Sequence, residues 1–236
     1  MTINTKQRST APEIMDDFSM EGEILTDALD KIAAINKLLG GNQVTLEGIN
    51  FLMDKDKLAN KLKIVDVGCG NGAMLRMLAD YALKKGLSFE LIGIDANRAT
   101  IAHAESLSTP YPNIRYQCSD IFNDGQIAVC DIMLFTLTLH HFTDQQIVSL
   151  FNKLKGLVRL GIVVNDLHRS ALAYRLFTAL SYLFKLNDMS REDGLVSILR
   201  GFKRNDLLAY EKQLTINSAH IKWRWAFRYL WVIQMT

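Results

Sequence analysis

Three carboxylates at the ends of apolar runs, together with one glycine-rich turn, carry the most specific chemistry in the sequence. In KIVDVGCGNGAMLRMLAD, residues 63–80, Ile64, Val65 and Val67 read as a strand, Gly68, Gly70 and Gly72 as a turn, and residues 73–79 as a helix. Such a turn lets backbone approach a nucleotide-type cofactor and aims its N–H groups outward. Asp66 stands just before the turn, so the nearest ligand group is expected to be cationic rather than a pyrophosphate. Asp95 closes LIGID, 23 residues past Gly72, where a carboxylate accepts both ribose hydroxyls of an adenosine. Asp120 follows in IRYQCSDIF, and with Ile121 and Phe122 beside it suits the exocyclic amine and apolar face of adenine. Any one of these acids could be an exposed strand end or a helix cap; the set is what is specific. GCGNGA also satisfies G-x-G-x-x-A, and with Asp95 it fits a nicotinamide-dependent dehydrogenase as well.

The elements that must position these residues alternate. Apolar strands at 63–67, 89–94, 114–117, 132–135 and 161–165 are separated by helices at 73–85, 98–107 and 144–157, and strands return at 213–216 and 227–233. This predicts an α/β fold, a Rossmann-like seven-stranded, mostly parallel sheet with helices on both faces. Ligands of such sheets collect at the carboxyl ends of the strands. Before the first strand, residues 14–39 and 44–53 carry helical spacing, residues 1–12 read as frayed, Gly40, Gly41 and Asn42 as a stop, and DKDKLANK (54–61) as a charged linker. After the fifth strand, 170–186 reads as a long helix and 191–208 as one or two more. The expected organisation is one domain: an N-terminal helical lid (1–60), a cofactor-binding core (61–168), a helical cap inserted after the fifth strand (169–210) and C-terminal strands (211–236).

The chain has 236 residues, 49% of them hydrophobic, which suffices for one such domain. Its 27 basic and 25 acidic side chains give no polyanion-binding bias; Lys203, Arg204, Lys222, Arg224 and Arg228 are expected on solvated faces. Three cysteines without C-x-x-C spacing suggest neither a disulfide framework nor a zinc site. With no signal-peptide core and no apolar run of spanning length, a cytoplasmic protein is expected, a monomer or homodimer with no stable membrane insertion and no nucleic-acid partner.

The set Asp66, Gly68, Gly70, Asp95 and Asp120 resembles the class I S-adenosylmethionine-dependent methyltransferases over roughly residues 62–164. The resemblance implies S-adenosyl-L-methionine as cofactor and S-adenosyl-L-homocysteine as product. It implies that backbone from Gly68 through Cys69 to Gly70 holds the methionine part, with Asp66 near its amino group. Asp95, followed by Ala96, would bind ribose, Asp120 and Ile121 adenine, and Phe135 and Thr136 would line the methionine side. The segments MDDFSMEGEILTDALDKIAAINKLLGG, TLTLHHF, VVNDLHRSALAYRLFTAL and DGLVSILRGFKRNDLLAY resemble a bacterial subfamily often associated with type III polyketide synthase gene sets. That resemblance implies a small phenolic or polyketide-like methyl acceptor.

Methyl transfer is an in-line displacement in which holding acceptor and methyl in attack geometry supplies most of the effect. For a phenol, a histidine within hydrogen-bond reach would take the proton. His140 and His141 follow the fourth strand and His168 the fifth, and these are the candidate bases. Adjacent residues are expected to point apart, so that one of His140 and His141 faces the acceptor. A magnesium site needs converging oxygen ligands; Asn165 and Asp166 offer two, no third is evident, and metal independence is expected. The loop TLTLHHF lacks the Asn-Pro-Pro-Tyr-like sequence of adenine or glutamine amino-methyltransferases. Tyr174, Phe177, Tyr182, Phe184 and Met189 of the cap, and Met15, Phe18 and Met20 ahead of the core, are candidates to line or close the acceptor pocket, or plain core. A module that binds the cofactor without transferring its methyl group is the remaining alternative.

Overall fold

The strands that read as uninterrupted apolar runs pair side by side. β1 (Lys61–Val67), β2 (Ser88–Asp95), β3 (Ile114–Cys118), β4 (Cys130–Thr136) and β5 (Val158–Leu167) are mutually parallel, while β6 (Ala219–Arg224) and β7 (Arg228–Gln234) close the edge antiparallel, in the order β3-β2-β1-β4-β5-β7-β6. The computed structural model describes residues 3–54, 61–123 and 127–235. The charged linker expected at 54–61 lies, but for its two ends, outside them.

Helices on both faces explain why the central strands need no polar alternation. α2 (Gly41–Met53) and α3 (Ala73–Lys85), with Ile101 of α4 (Arg98–Leu107), bury Ile64, Leu91, Ile132, Leu134 and Val163 on one side. α5 (Asp144–Leu154) and α8 (Arg204–Gln213) bury Val65, Met133, Phe135 and Ile162 on the other. The strand order reverses between β1 and β4. Loops from the two halves part there and leave a crevice at the carboxyl ends.

Four expectations are corrected and one, for the cap region, is narrowed. The first helix, α1, spans Glu23–Leu38, because Gly22 at φ +90° breaks the chain ahead of it and Ile14–Asp16 forms only a 3-10 turn. Gly41 and Asn42 do not stop a helix; they open α2 after Gly40, at φ +73°. Residues 213–216 are not a strand. Gln213 ends α8 and Thr215 sits at φ +53°, so β6 begins only at Ala219. The cap region holds α6 (Ala171–Leu183) and α7 (Asp188–Arg200), with α8 separated from α7 at Gly201. The N-terminal stretch from residue 3 is docked, since the Arg8 guanidinium donates to the backbone carbonyls of Arg200, His140 and Phe142 and pairs with Asp144 at 2.6 Å.

The three cysteines are free, Cys69 and Cys130 buried and Cys118 exposed. Among the described residues, no helix is long and apolar enough to cross a membrane.

Candidate active site

The turn after β1 has the left-handed backbone its glycines suggest: Gly68, Gly70 and Gly72 lie at φ +67°, +52° and +76°. A Cβ on Gly68 would stand 2.4 Å from Thr138 Cγ2, and one on Gly72 2.0 Å from the Tyr116 hydroxyl, so sterics as well as torsion demand glycine. Gly68 and Cys69 donate to the Ile94 carbonyl at 2.8 and 3.1 Å, tying the turn to the end of β2. Asp95 is fixed from both sides, its Oδ2 accepting from Gly70 N at 3.2 Å and its Oδ1 from Asn97 N at 3.1 Å. Burial raises its carboxyl above the usual range.

Asp66 is 2% exposed and its Oδ1 has no hydrogen-bond partner among the described residues. Burial, aided by the nearby Asp95 charge, pushes its carboxyl up to about 8. A buried carboxylate with a free oxygen, aimed at a crevice, suits a cationic ligand group such as the ammonium of a bound amino acid. On the other side of β2, Asp120 Oδ1 accepts from Phe122 N at 2.9 Å and Oδ2 from Asn123 Nδ2 at 2.7 Å. Phe122 and Phe142 meet edge to face at 4.9 Å beside Ile121. This makes an apolar slot with a carboxylate at its rim, which fits a purine. Asp66, the Gly68–Gly70 backbone, Asp95 and Asp120 thus offer groups of the kinds that S-adenosylmethionine needs.

Asp66, Gly68, Cys69, Gly70, Asp95, Ala96, Asp120, Ile121 and Thr136 all border one cavity of about 910 Å³. Phe135 does not border it. Its side chain points into the opposite core layer, fully buried and edge-on to Phe151 at 5.9 Å, because side chains alternate along β4.

All three candidate histidines border the same cavity. The expectation that His140 and His141 diverge is corrected: both fall in the 3-10 turn Leu139–His141, and their rings lie 4.4 Å apart. Each is held by its own carboxylate at 2.6 Å, His140 Nδ1 by Asp166 and His141 Nδ1 by Asp16. Glu13 Oε1 sits between them, 3.7 Å from His140 Nε2 and 3.8 Å from His141 Nδ1, without a hydrogen-bond partner among the described residues. Burial raises the Glu13 carboxyl. Burial alone would also raise Asp16 and Asp166, but hydrogen bonds from His141 and Arg200 hold Asp16 down, and the His140 imidazole does the same for Asp166. Arg200 completes the cluster, 2.6 Å from Asp16 and 3.6 Å from Glu13.

The ligand atoms of Glu13, His140 and His141 lie within 4.8 Å of one another, a grouping able to hold a metal ion. The cation already among them is the Arg200 guanidinium. Asn165 and Asp166, the pair weighed as oxygen ligands, are committed elsewhere. The Asn165 amide donates to Gly41 O at 2.8 Å and Thr45 Oγ1 at 3.0 Å, and Asp166 serves His140 and Leu167 N. His168 is half-buried, its Nδ1 accepting from Trp223 Nε1 at 3.2 Å, and burial lowers its pKa.

Phe177 borders the cavity, whereas Tyr174, Tyr182, Phe184 and Met189 do not; Met15 and Phe18 border it and Met20 does not, although the Met20 carbonyl takes the Asn97 amide at 2.7 Å. Lys222 and Arg224 pair with Glu47 on the surface as expected, but Arg228 is only 3% exposed and borders the cavity. Sequence reasoning missed Glu13, Asp16, Arg200 and Arg228. None sits at a strand's carboxyl end, and the only signal was the acidic pair Asp16 and Asp17 ahead of the first long helix.

Residues 64–161 match a family model described as a methyltransferase domain. Solved structures similar to it include the plantazolicin methyltransferase BpumL in complex with a pentazolic desmethylPZN analog and SAH. That structure is 15% identical with a TM-score of 0.67, over 90% of this chain and 90% of that one. Magnesium protoporphyrin IX methyltransferase from Synechocystis PCC 6803 with bound SAH is 14% identical with a TM-score of 0.56, over 84% of each chain. The S-adenosylmethionine-dependent methyltransferase SibL in its apo form gives 16% and 0.54, over 73% of this chain and 50% of that one. At such identities the likeness to these structures is one of fold. The expected enzyme class, a methyltransferase that uses S-adenosylmethionine, agrees with the domain match and with this fold.

Proposed function

We propose that the protein transfers a methyl group from S-adenosylmethionine to a hydroxyl of a small acceptor, phenolic or polyketide-derived, without a metal ion. The observation that carries the reading is the single cavity joining the Asp66–Asp95–Asp120 cradle to two carboxylate-held imidazoles. When bound, S-adenosylmethionine supplies a sulfonium methyl carbon open to in-line attack.

The chain's own residues would do the rest. Asp66 meets the ammonium, Asp95 the ribose and Asp120 the adenine amine. Asp16 holds His141 by Nδ1, which leaves Nε2, with no protein partner among the described residues, to take the acceptor proton. His140, buried and fixed by Asp166, packs against His141 and sets its plane. His168 is engaged at Nδ1 by the Trp223 indole N–H. The helical block α6–α7 and the segment ahead of α1 would keep water from the reacting atoms as cap and lid. The expected setting is the cytoplasm.

Calorimetry with S-adenosylmethionine, S-adenosylhomocysteine and NAD tests the cofactor, and tight NAD binding with neither of the others would end the reading. Labelled S-adenosylmethionine with a panel of phenols tests the transfer. Tight cofactor binding without transfer across that panel would favour a binding module.

A further inference from the structure

Arg228 lies at the start of β7, opposite Leu167 at the end of β5. The sheet order puts it three strands from β1, roughly 14 Å from the Asp66 strand by strand spacing. It is 3% exposed and borders the cavity, and its Nε and Nη1 have no hydrogen-bond partner among the described residues. The opposite charge it feels is Asp166, whose oxygens are already taken by the His140 ring, the His140 backbone N–H and Leu167 N. Burial lowers the guanidinium pKa to about 10, so the group stays charged at neutral pH.

A buried, unpartnered guanidinium is costly unless something fills its two free N–H groups. The helix beside it adds to the same polarity. A Cβ on Gly41, the first residue of α2, would lie 3.0 Å from Arg228 Cζ, so the positive end of that helix faces the guanidinium. Asn36, 8% exposed with its Oδ1 unpartnered, and Asn42 also border the cavity here, and the Asn36 amide donates to Asn42 Oδ1 at 2.5 Å. The wall also carries apolar side chains, Leu176, Phe177, Leu180 and Phe227 among them.

We propose that Arg228 and the α2 N-terminus form an acceptor subsite for a carboxylate, so that the methyl acceptor is an apolar, ring-bearing carboxylic acid bound by a forked contact to the Arg228 guanidinium. The inference rests on reading the cavity as a methyl-transfer chamber. The fork of two N–H groups matches the planar carboxylate bidentately, which a hydroxyl or amide cannot reproduce.

The test titrates protein saturated with S-adenosylhomocysteine with matched pairs: 4-hydroxybenzoate against 4-hydroxybenzamide, and 6-hydroxy-2-naphthoate against its amide. The expected result is that the acids bind the native protein about tenfold or more tighter than their amides, the scale of a charge-assisted hydrogen bond. In R228Q that preference disappears, while affinity for S-adenosylhomocysteine stays within about twofold. R228K, which keeps the charge without the fork, is expected to retain part of it, and the native acid-to-amide ratio stands even if both variants fail to fold. Equal binding of acids and amides by the native protein would overturn the proposal. So would a loss of S-adenosylhomocysteine affinity in R228Q that matches the loss for the acids, since the guanidinium would then serve the cofactor's own carboxylate. Failure of S-adenosylhomocysteine to bind the native protein would instead sink the methyltransferase reading, and the same pairs titrated into the unliganded protein would still report on Arg228.

Discussion

Asp166 meets His140 twice, with Oδ1 2.6 Å from the ring Nδ1 and Oδ2 accepting the backbone N–H at 3.1 Å. One carboxylate at the end of β5 thereby fixes both the ring and the peptide of a residue in the turn after β4. The 3-10 turn that presents the two imidazoles is thus fastened from the neighbouring strand.

Replacing Asp166 with Ala leaves a buried imidazole and the Arg228 guanidinium without their shared counter-charge. Loss of one member of a buried charged pair costs about 3–5 kcal/mol, and urea denaturation of D166A should show a fall of that order. A change below about 1 kcal/mol, the level of a surface pair, would mean the cluster is not cohesive.

Asp95→Ala removes a carboxylate held ready by Gly70 and Asn97. Its expected cost to S-adenosylhomocysteine binding is about 1.5–3 kcal/mol for charge-assisted hydrogen bonds, read by calorimetry. Unchanged affinity would show that ribose lies elsewhere.

Asp66, whose carboxyl titrates at about 8 in the fold, sets the sign of a pH effect. Its folded pKa is raised, so between roughly pH 4, the unfolded value, and about pH 8 the folded state holds the extra proton and stability of the unliganded protein falls as pH rises. Cofactor affinity runs the other way through the carboxylate and levels off above about pH 8. Thermal melts and titrations across that window should show both trends in the native protein and both reduced in D66N, where the raised Asp95 and Glu13 carboxyls remain.

His141→Ala is expected to lower turnover toward an ordinary phenol at neutral pH by about 10²-fold while leaving S-adenosylhomocysteine affinity close to native. Partial recovery with a more acidic phenol would identify proton removal as the lost step. Full activity would take His141 out of the mechanism and leave His140, which Asp166 holds.

The sheet and the cofactor side were legible in the sequence because both are local. A strand, a turn and a helix follow one another within residues 63–80, and Asp95 and Asp120 are strand-end residues at spacings the fold fixes. Phe135 was misplaced by one position of strand alternation, since Thr136, its neighbour, borders the cavity and Phe135 does not. The cluster of Glu13, Asp16, His140, His141 and Arg200 was legible only in its histidines. Glu13 and Asp16 meet Ser197 and Arg200 across 184 residues, at 2.7 and 2.6 Å, and no periodicity records a contact of that separation. Arg228 reads as one more cation in a basic tail until β5 and β7 pair and bury it.

That separation bears on how the protein comes into being. Asp193 on α7 accepts the backbone N–H groups of Ile14 and Met15, at 2.6 and 2.9 Å. Residues near the start of the chain must therefore wait for residues made long after them. During synthesis the cofactor turn and its strands can assemble from the first half alone, while Asp16 reaches its final place only once α7 has left the ribosome. Contacts of such high order form late in folding. A nascent or truncated chain would bind the methyl donor before it could use it, so acquisition of activity should lag behind acquisition of cofactor affinity.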